Sequence, residues 1–182
     1  MMLFKASVLT AVLIVYLCIP AITAAQGQDI KTKYSRVIYT DIDDLKEFNS
    51  SLRIGPLDYL LKHRAKGDDT LSGRVAEKVD IILERVETIL EMYPRNFSVD
   101  IKIIHNSKEV DKIYRERYSK KVDFISFYFP LERVIYISSE DSSSNILAHE
   151  LAHAVIDQYY GGITPVKVQE ILAQYVDEHL MD

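Results

Sequence analysis

A pair of histidines separated by three residues constrains this chain more than any other feature of its sequence. His149 and His153 flank the residues Glu-Leu-Ala, which gives the pattern His-Glu-x-x-His. In a helix, residues four apart project from one face, one turn above the other, so both imidazoles can reach a single metal ion. Glu150 lies about a third of a turn round the helix, within reach of water beside that ion. The pattern predicts a metal-dependent hydrolytic site.

The residues around the two histidines indicate where this helix begins and ends. Ser142–Ser144 supply N-cap candidates, and Gly161-Gly162 followed by Pro165 ends the helix. We predict a helix from Asp141 to Tyr160. An apolar stripe lies on the side roughly opposite to the histidines and contains Leu147, Leu151, Ala154 and Val155. A surface helix that carries two histidines by coincidence is the alternative.

The first 25 residues have the order of a secretory signal. Lys5 precedes an apolar run from Ala6 to Ile22, and the small residues Thr23-Ala24-Ala25 follow it. Cleavage after Ala25 predicts a periplasmic or secreted protein. If the run stays uncleaved, it would act as a membrane anchor, although its length is near the minimum for a membrane-spanning helix. Cys18 is the only cysteine and lies in this run, so we expect no disulfide in the exported chain.

Charge and length limit the classes of partner and the number of domains. The chain has 27 acidic and 22 basic residues, and the basic residues are scattered, so we expect no nucleic-acid partner. About 157 residues remain beyond the signal, enough for one domain with a core. No second apolar span follows, so we expect no membrane span in the mature chain. No feature of the sequence indicates the oligomeric state.

Residues 26–72 are predicted to form an N-terminal segment, either an extra lobe or a removable pro-segment that keeps the domain latent. Its polar start suggests disorder, and its later residues have strand, helix and loop patterns. The predicted parts are a disordered stretch Gln26–Lys33, a strand Ser35–Thr40, a short helix capped by Asp41, a helix Leu57–Lys62 and a loop Lys66–Gly73.

Residues 73–182 read as one α+β domain. Apolar residues at steps of three and four predict a long helix from Arg74 to Tyr93, and its acidic residues, including Asp80 and Glu87, are expected to be solvated. The other predicted elements are strands Phe97–Ile104, Val122–Phe129 and Val134–Ser138, a charged helix Glu109–Tyr118 and a last helix Val166–Leu180. The predicted buried stripe of the last helix contains Val168, Ile171, Leu172, Tyr175, Val176 and Leu180.

The last helix offers a third metal ligand. A catalytic zinc ion takes three protein ligands and leaves a fourth position open. Glu170 is 17 residues beyond His153 (170 − 153). From His153 to its end, the predicted helix Asp141–Tyr160 extends by about 10 Å. After the turn, the last helix runs back by a similar distance to Glu170. Glu170 is therefore predicted to lie level with the two histidines and to complete a site for one Zn²⁺ ion.

These motifs resemble the gluzincins, the zinc metallopeptidases of the thermolysin-like and peptidase-MA kind. The resemblance rests on His149–Val155 followed by Gln169–Tyr175, which is similar to the family's glutamate helix, and covers roughly residues 74–182. It implies a zincin-like core with a backing helix, a small mixed sheet of three to four strands, the His-Glu-x-x-His helix and a C-terminal glutamate helix. Ile156 and Tyr159 stand where metzincins have glycine and a third histidine.

The resemblance implies a zinc-dependent endopeptidase that acts on a peptide or protein. His149, His153 and Glu170 would bind zinc, and Glu150 would be the general base. Gln174 stands where thermolysin-like members have an aspartate and is a candidate to hydrogen-bond a ligating histidine. An edge strand that pairs with substrate would correspond to Phe124, Ile125, Ser126, Phe127 and Tyr128.

The resemblance leaves the group that stabilises the oxyanion unassigned, because larger members carry it on a further domain. Candidates for this donor, or for a contact with the ligands, are Asp157, Tyr159, Tyr160, Tyr175 and His179. His63 and His105 have no partner at ligand spacing and are predicted to be structural or exposed. The alternative function is a zinc-binding domain without useful turnover that acts as a regulatory or partner-binding module.

Overall fold

The computed structural model describes residues 27–55, 69–119 and 123–182. Within them lie five strands: β1 (Gln28–Lys31), β2 (Ser35–Tyr39), β3 (Val99–Ile104), β4 (Ser126–Phe129) and β5 (Val134–Ser138). The same residues contain five helices: α1 (Ile42–Ser51), α2 (Leu71–Leu90), α3 (Ser107–Tyr118), α4 (Ser144–Tyr160) and α5 (Val166–His179). The predicted α+β class is confirmed. The predicted signal, the predicted helix Leu57–Lys62 and His63 lie outside the described residues.

The strands form one mixed sheet in the order β1-β2-β3-β5-β4. The neighbours β2, β3 and β5 are parallel, and the outer strands β1 and β4 are each antiparallel to their neighbour. Val37, Ile101 and Ile135 lie side by side in register across the centre, and all three are fully buried. Such β-branched residues pack well on a pleated surface. The sheet has five strands, more than the three to four predicted.

The extra strand is β1, which occupies a stretch that was predicted to be disordered. That prediction was wrong, because Ile30 is buried against the core while the backbone of β1 pairs with β2. The carboxylate of Asp80 accepts hydrogen bonds from the Thr32 hydroxyl at 2.7 Å and the Lys33 amide at 3.0 Å. Asp80 is therefore buried and paired, as a carboxylate inside a protein must be. The prediction that Asp80 and Glu87 are solvated was also wrong, since both are buried.

Helices cover both faces of the sheet. The larger hydrophobic cluster joins the sheet to α1, α2, α4 and α5, and it contains the predicted stripe residues Val75, Val79, Ile82 and Val86 of α2. The smaller cluster joins α3 to β4 and β5 and consists of Val110, Phe127, Phe129, Val134 and Tyr136. The α2 helix begins at Leu71, inside the predicted loop, because the Thr70 side chain caps it by accepting a hydrogen bond from Gly73.

The N-terminal segment contributes to the same core as the rest of the chain. β2 lies between β1 and β3, and Leu45 and Phe48 of α1 are fully buried in the larger cluster. Asp41 caps α1 as predicted, by accepting a hydrogen bond from Asp43. Residues 27–55 thus supply two strands and a helix to one sheet and one core.

The buried face of α5 differs from the predicted stripe. Val176 and Leu180 are buried as expected, but Val168, Ile171 and Tyr175 are exposed, and Ala173 is fully buried instead. The face of α5 that meets the core is therefore narrower and made of smaller residues than the apolar pattern suggested. In the described ranges, no helix combines the length and apolar character needed to cross a membrane.

Candidate metal centre

α4 holds the two histidines on a helix with well-defined ends. Ser143 is the N-cap and accepts a hydrogen bond from the Ile146 amide. Gly161 ends the helix with φ 65°, a left-handed conformation that glycine adopts without strain, and its amide donates to the Asp157 carbonyl. Leu147 and Leu151 are fully buried on the core side. The opposite face therefore turns His149 and His153 toward α5, as the sequence predicts.

The structure brings His149, His153 and Glu170 together. The two Nε2 atoms of the histidines are 3.2 Å apart. Glu170 places Oε1 3.5 Å from Nε2 of His153 and Oε2 3.7 Å from Nε2 of His149. Two ligand atoms bound tetrahedrally to zinc at their usual bond lengths would be about 3.3 Å apart. The three side chains thus have the chemistry and the spacing to hold one such ion.

Residues of α5 hold the two imidazole rings. Nδ1 of His149 lies 2.9 Å from Oδ2 of Asp177, so a neutral ring that donates its proton there presents a lone pair at Nε2. The side chain of Gln169 lies close to His153 and lines the same cleft. The hydrogen bond to Asp177 raises the pKa of His149, whereas burial lowers the pKa of His153. Burial thus favours the neutral, metal-binding form of His153.

Glu150 lies beside this cluster, on the side of the sheet edge. It is 6% exposed, and its Oε1 accepts a hydrogen bond from the Ser126 hydroxyl at 2.7 Å. Burial raises the pKa of Glu150 to about 7, although the hydrogen bonds from Ser126 and from the Tyr128 amide act in the opposite direction. A carboxyl group with a pKa near the working pH suits both the acceptance and the return of a proton.

These groups open into a cleft of about 700 Å³ between the edge of the sheet and α5. β4 is the edge strand on this side. The cleft is lined by all five residues predicted for the substrate strand, Phe124, Ile125, Ser126, Phe127 and Tyr128, together with His149, Glu150, His153 and Glu170. Within the described residues, β4 begins at Ser126 and not in the predicted stretch before it, because regular pairing with β5 begins there. The predicted first residue, Val122, lies outside the described residues.

The predicted candidates for the oxyanion donor do not line the cleft. Tyr159 and Tyr160 are exposed and contact each other edge to face. Tyr175 and His179 pack against each other, with ring centroids 4.1 Å apart, farther along α5. Asp157 accepts a hydrogen bond from the Tyr128 hydroxyl at 3.0 Å. These four rings therefore pack among themselves or face solvent, while Asp157 ties α4 to β4.

Sequence reasoning missed two residues that contact the histidines. It named Gln174 as the partner of a ligating histidine, but Gln174 is exposed and outside the cleft, and the contact is made by Asp177. Gln169, the residue before Glu170, was not singled out. Asp177 shares a helix face with Glu170, which is the only sequence signal that pointed to it.

His105 lies away from the centre, where its Nδ1 is 2.8 Å from Oδ1 of Asp44.

Comparisons of the chain with protein-family models, with curated proteins and with solved structures find no match. The functional assignment therefore rests on the residues and their geometry.

Proposed function

We propose that this protein is a zinc-dependent peptidase of the gluzincin type, with a zincin-like core. The observation that carries the proposal is the convergence of the ligand atoms of His149, His153 and Glu170 within 4.8 Å, beside a buried Glu150. Three protein ligands with room for a fourth are the mark of a catalytic rather than a structural zinc site. The open cleft in front of them supplies that room.

The ion would be held by His149, His153 and Glu170. When bound, it would act as a Lewis acid that lowers the pKa of water and polarises a carbonyl group. The Glu150 carboxylate accepts a proton from water and returns it to the leaving amine. The Ser126 hydroxyl keeps one oxygen of Glu150 in place during these transfers. Asp177 keeps the His149 ring oriented through Nδ1.

β4 would bind the substrate backbone. Among the described residues, it is the edge strand and pairs with β5 on one side only. An extended peptide can add to such an edge through main-chain hydrogen bonds. Pairing there would lay the peptide along the cleft that contains Glu150 and the three ligands, which favours an endopeptidase.

The test combines metal analysis with a peptide-cleavage assay on Glu150→Gln. Wild type is expected to contain close to one zinc ion per chain and to cleave peptides. The variant keeps its zinc, since Glu150 is not a ligand, and loses activity by about 10²–10⁴-fold, the usual contribution of general acid–base catalysis. Glu47→Gln, at an exposed position on α1, is the matched control. Undiminished cleavage by Glu150→Gln would refute the assigned base.

A zinc-binding module without useful turnover is the second candidate. It is favoured by the finding that Tyr159, Tyr160, Tyr175 and His179 do not line the cleft as oxyanion donors. Stoichiometric zinc with no cleavage across a broad peptide screen, together with one stable partner in pull-down experiments, would support this function.

Export of the protein also stays a prediction. N-terminal sequencing of the mature chain tests it, because the expected cleavage after Ala25 would leave Gln26 as the first residue.

A further inference from the structure

We propose that the cleft selects a peptide with a large aromatic or aliphatic side chain, which binds an aromatic wall formed by Tyr114, Tyr118, Phe124 and Phe127. This inference rests on the proposed peptidase function and names the substrate class for the same site. The wall lies on the opposite side of β4 from Glu150, so it is separate from the groups that would perform the chemistry.

The pairing of β4 shows which of its backbone groups face away from β5. The Ser138 amide donates to the Ile125 carbonyl at 2.9 Å, and Ser126 lies opposite Ile137. In an antiparallel ladder, successive residues direct their backbone groups alternately to either side. Ser126 and Tyr128 therefore direct theirs to the free edge.

A peptide paired to that edge would send alternate side chains to opposite faces of the sheet. One face carries α4, since the side chains of Ser126 and Tyr128 reach Glu150 and Asp157. The other face carries α3, since Phe127 packs against Tyr114. A peptide residue that lies beside Phe127 therefore directs its side chain toward α3 and away from the catalytic groups.

The aromatic wall is what such a side chain would meet. Tyr114 and Tyr118 are four residues apart on α3 and stack with ring centroids 4.6 Å apart. The Tyr114 ring also packs edge to face with the rings of Phe124 and Phe127, with centroids 4.5 Å and 5.1 Å apart. All four line the cleft, and Tyr118 remains 37% exposed. The rings thus support one another and leave apolar surface uncovered, which a large apolar side chain can bury.

The charge of the cleft excludes one class of side chain at this position. Asp123 lines the cleft and directly precedes Phe124 of the aromatic wall. An acidic side chain of a peptide that lies close to Asp123 would be repelled by its carboxylate. Aromatic and long aliphatic residues gain from burial on the rings without this cost.

The experiment uses short internally quenched peptides that are identical except at one position, which carries Phe, Leu, Ala or Asp in turn. At one position, and not at its two neighbours, Phe or Leu should raise kcat/KM by about tenfold or more over Ala, and Asp should lower it. Tyr118→Ala should bring the Phe-to-Ala ratio close to one. Tyr118→Phe, which keeps the ring, should retain the ratio, as should Tyr93→Ala, the removal of a tyrosine that is 61% exposed outside the cleft.

Binding of the same peptides to Glu150→Gln, followed by fluorescence anisotropy, separates this inference from the proposed activity. A Tyr118-dependent preference for Phe in binding, without cleavage by wild type, would support the aromatic wall and refute the peptidase. Cleavage with equal rates for Phe, Ala and Asp at every position would refute the aromatic wall and leave the peptidase standing. Neither binding nor cleavage of any peptide would overturn both.

Discussion

At the scale of single residues, Asp177 is the side chain that fixes the orientation of a proposed zinc ligand. Its Oδ2 lies 2.9 Å from Nδ1 of His149. Because such a hydrogen bond orients the ring and raises the basicity of its other nitrogen, Asp177→Ala should weaken zinc binding by about 10–100-fold. Competition with a chromophoric chelator measures this affinity directly.

Gln174→Ala is the matched control, because Gln174 is an exposed neighbour on the same helix. It should leave the zinc affinity within about twofold of wild type, as expected of a surface substitution. Equal losses in the two variants, or no loss in Asp177→Ala, would contradict the role given to Asp177.

The histidine pair could be predicted from the sequence, but its partner on α5 could not. Residues four apart on a helix are neighbours whatever the rest of the fold does, which is why His149 and His153 were found. Relative to Glu170, Gln174 is rotated by about 40° and Asp177 by about −20°, so both share its face. The choice between them depends on how α4 and α5 pack. The two helices are antiparallel, so residues beyond Glu170 lie progressively closer to the start of α4. Of the two candidates, Asp177 is the one that reaches Nδ1 of His149.

At the scale of elements, the buried face of α5 makes a stability prediction. Val176 is fully buried, whereas Ile171 on the same helix is 56% exposed. Val176→Ala should lower the free energy of unfolding by about 2 kcal/mol, because it removes buried methyl groups and leaves a cavity. Ile171→Ala should change it by about 0.5 kcal/mol or less. Urea unfolding followed by circular dichroism compares the two variants, and a larger loss from Ile171→Ala would show that the helix is rotated about its axis.

The same helix shows why apolar periodicity was an incomplete guide. The spacing of apolar residues in the sequence predicted that Val168, Ile171 and Tyr175 are buried. The structure instead buries Ala173, a small residue that contributes little to such a pattern. On the side that carries Glu170 and Asp177, α5 meets the polar cluster around the histidines. The functional groups therefore take up part of the contact surface that a purely apolar stripe would occupy.

A pair of side chains links α1 to the end of β3 and should make stability depend on pH. His105 lies 2.8 Å from Asp44, which also accepts a hydrogen bond from Ser139, and Glu140 is 3.7 Å from the same ring. The hydrogen bond to Asp44 raises the pKa of His105 above its ordinary value. Its stabilising contribution is therefore fully present below the unfolded-state pKa and is lost as pH rises through the folded-state pKa.

The free energy of unfolding of wild type should exceed that of His105→Ala by more at about pH 5.5 than at about pH 9, on either side of the ordinary histidine pKa. Chemical unfolding of both proteins at the two pH values measures the difference, and groups elsewhere cancel because both chains carry them. A difference that is constant or grows with pH would show that the His105–Asp44 pair does not act in this way.

At the scale of the whole molecule, residues 27–55 of the N-terminal segment belong to the sheet and its core. β2 lies between β1 and β3, and α1 buries Leu45 and Phe48. A chain that begins at residue 73 would lack these elements and leave the edge of β3 unpaired. We expect it to lose cooperative thermal unfolding, whereas a chain that begins at residue 26 should keep it. A chain from residue 73 that folds and cleaves peptides faster would instead identify residues 26–72 as a removable inhibitory segment.

The sequence predicted the α+β class and the order of the later elements because long periodic helices and alternating strands leave local signals. It missed β1 because that strand has only one buried residue, Ile30, and its other three residues are exposed. Such a strand is specified by its pairing with β2 and by the hydrogen bonds of Asp80. The Asp80 contacts join residues 47 and 48 positions apart in sequence, so no local pattern reveals them.

We propose that the antiparallel helices α4 and α5 bring His149, His153 and Glu170 together around one zinc ion. Anomalous X-ray diffraction from crystals of the zinc-loaded protein, collected above and below the zinc absorption edge, tests it most directly. We expect a single anomalous peak at bonding distance from Nε2 of both histidines and from the Glu170 carboxylate. A peak elsewhere, or a Glu170 carboxylate that points away from the ion, would contradict it.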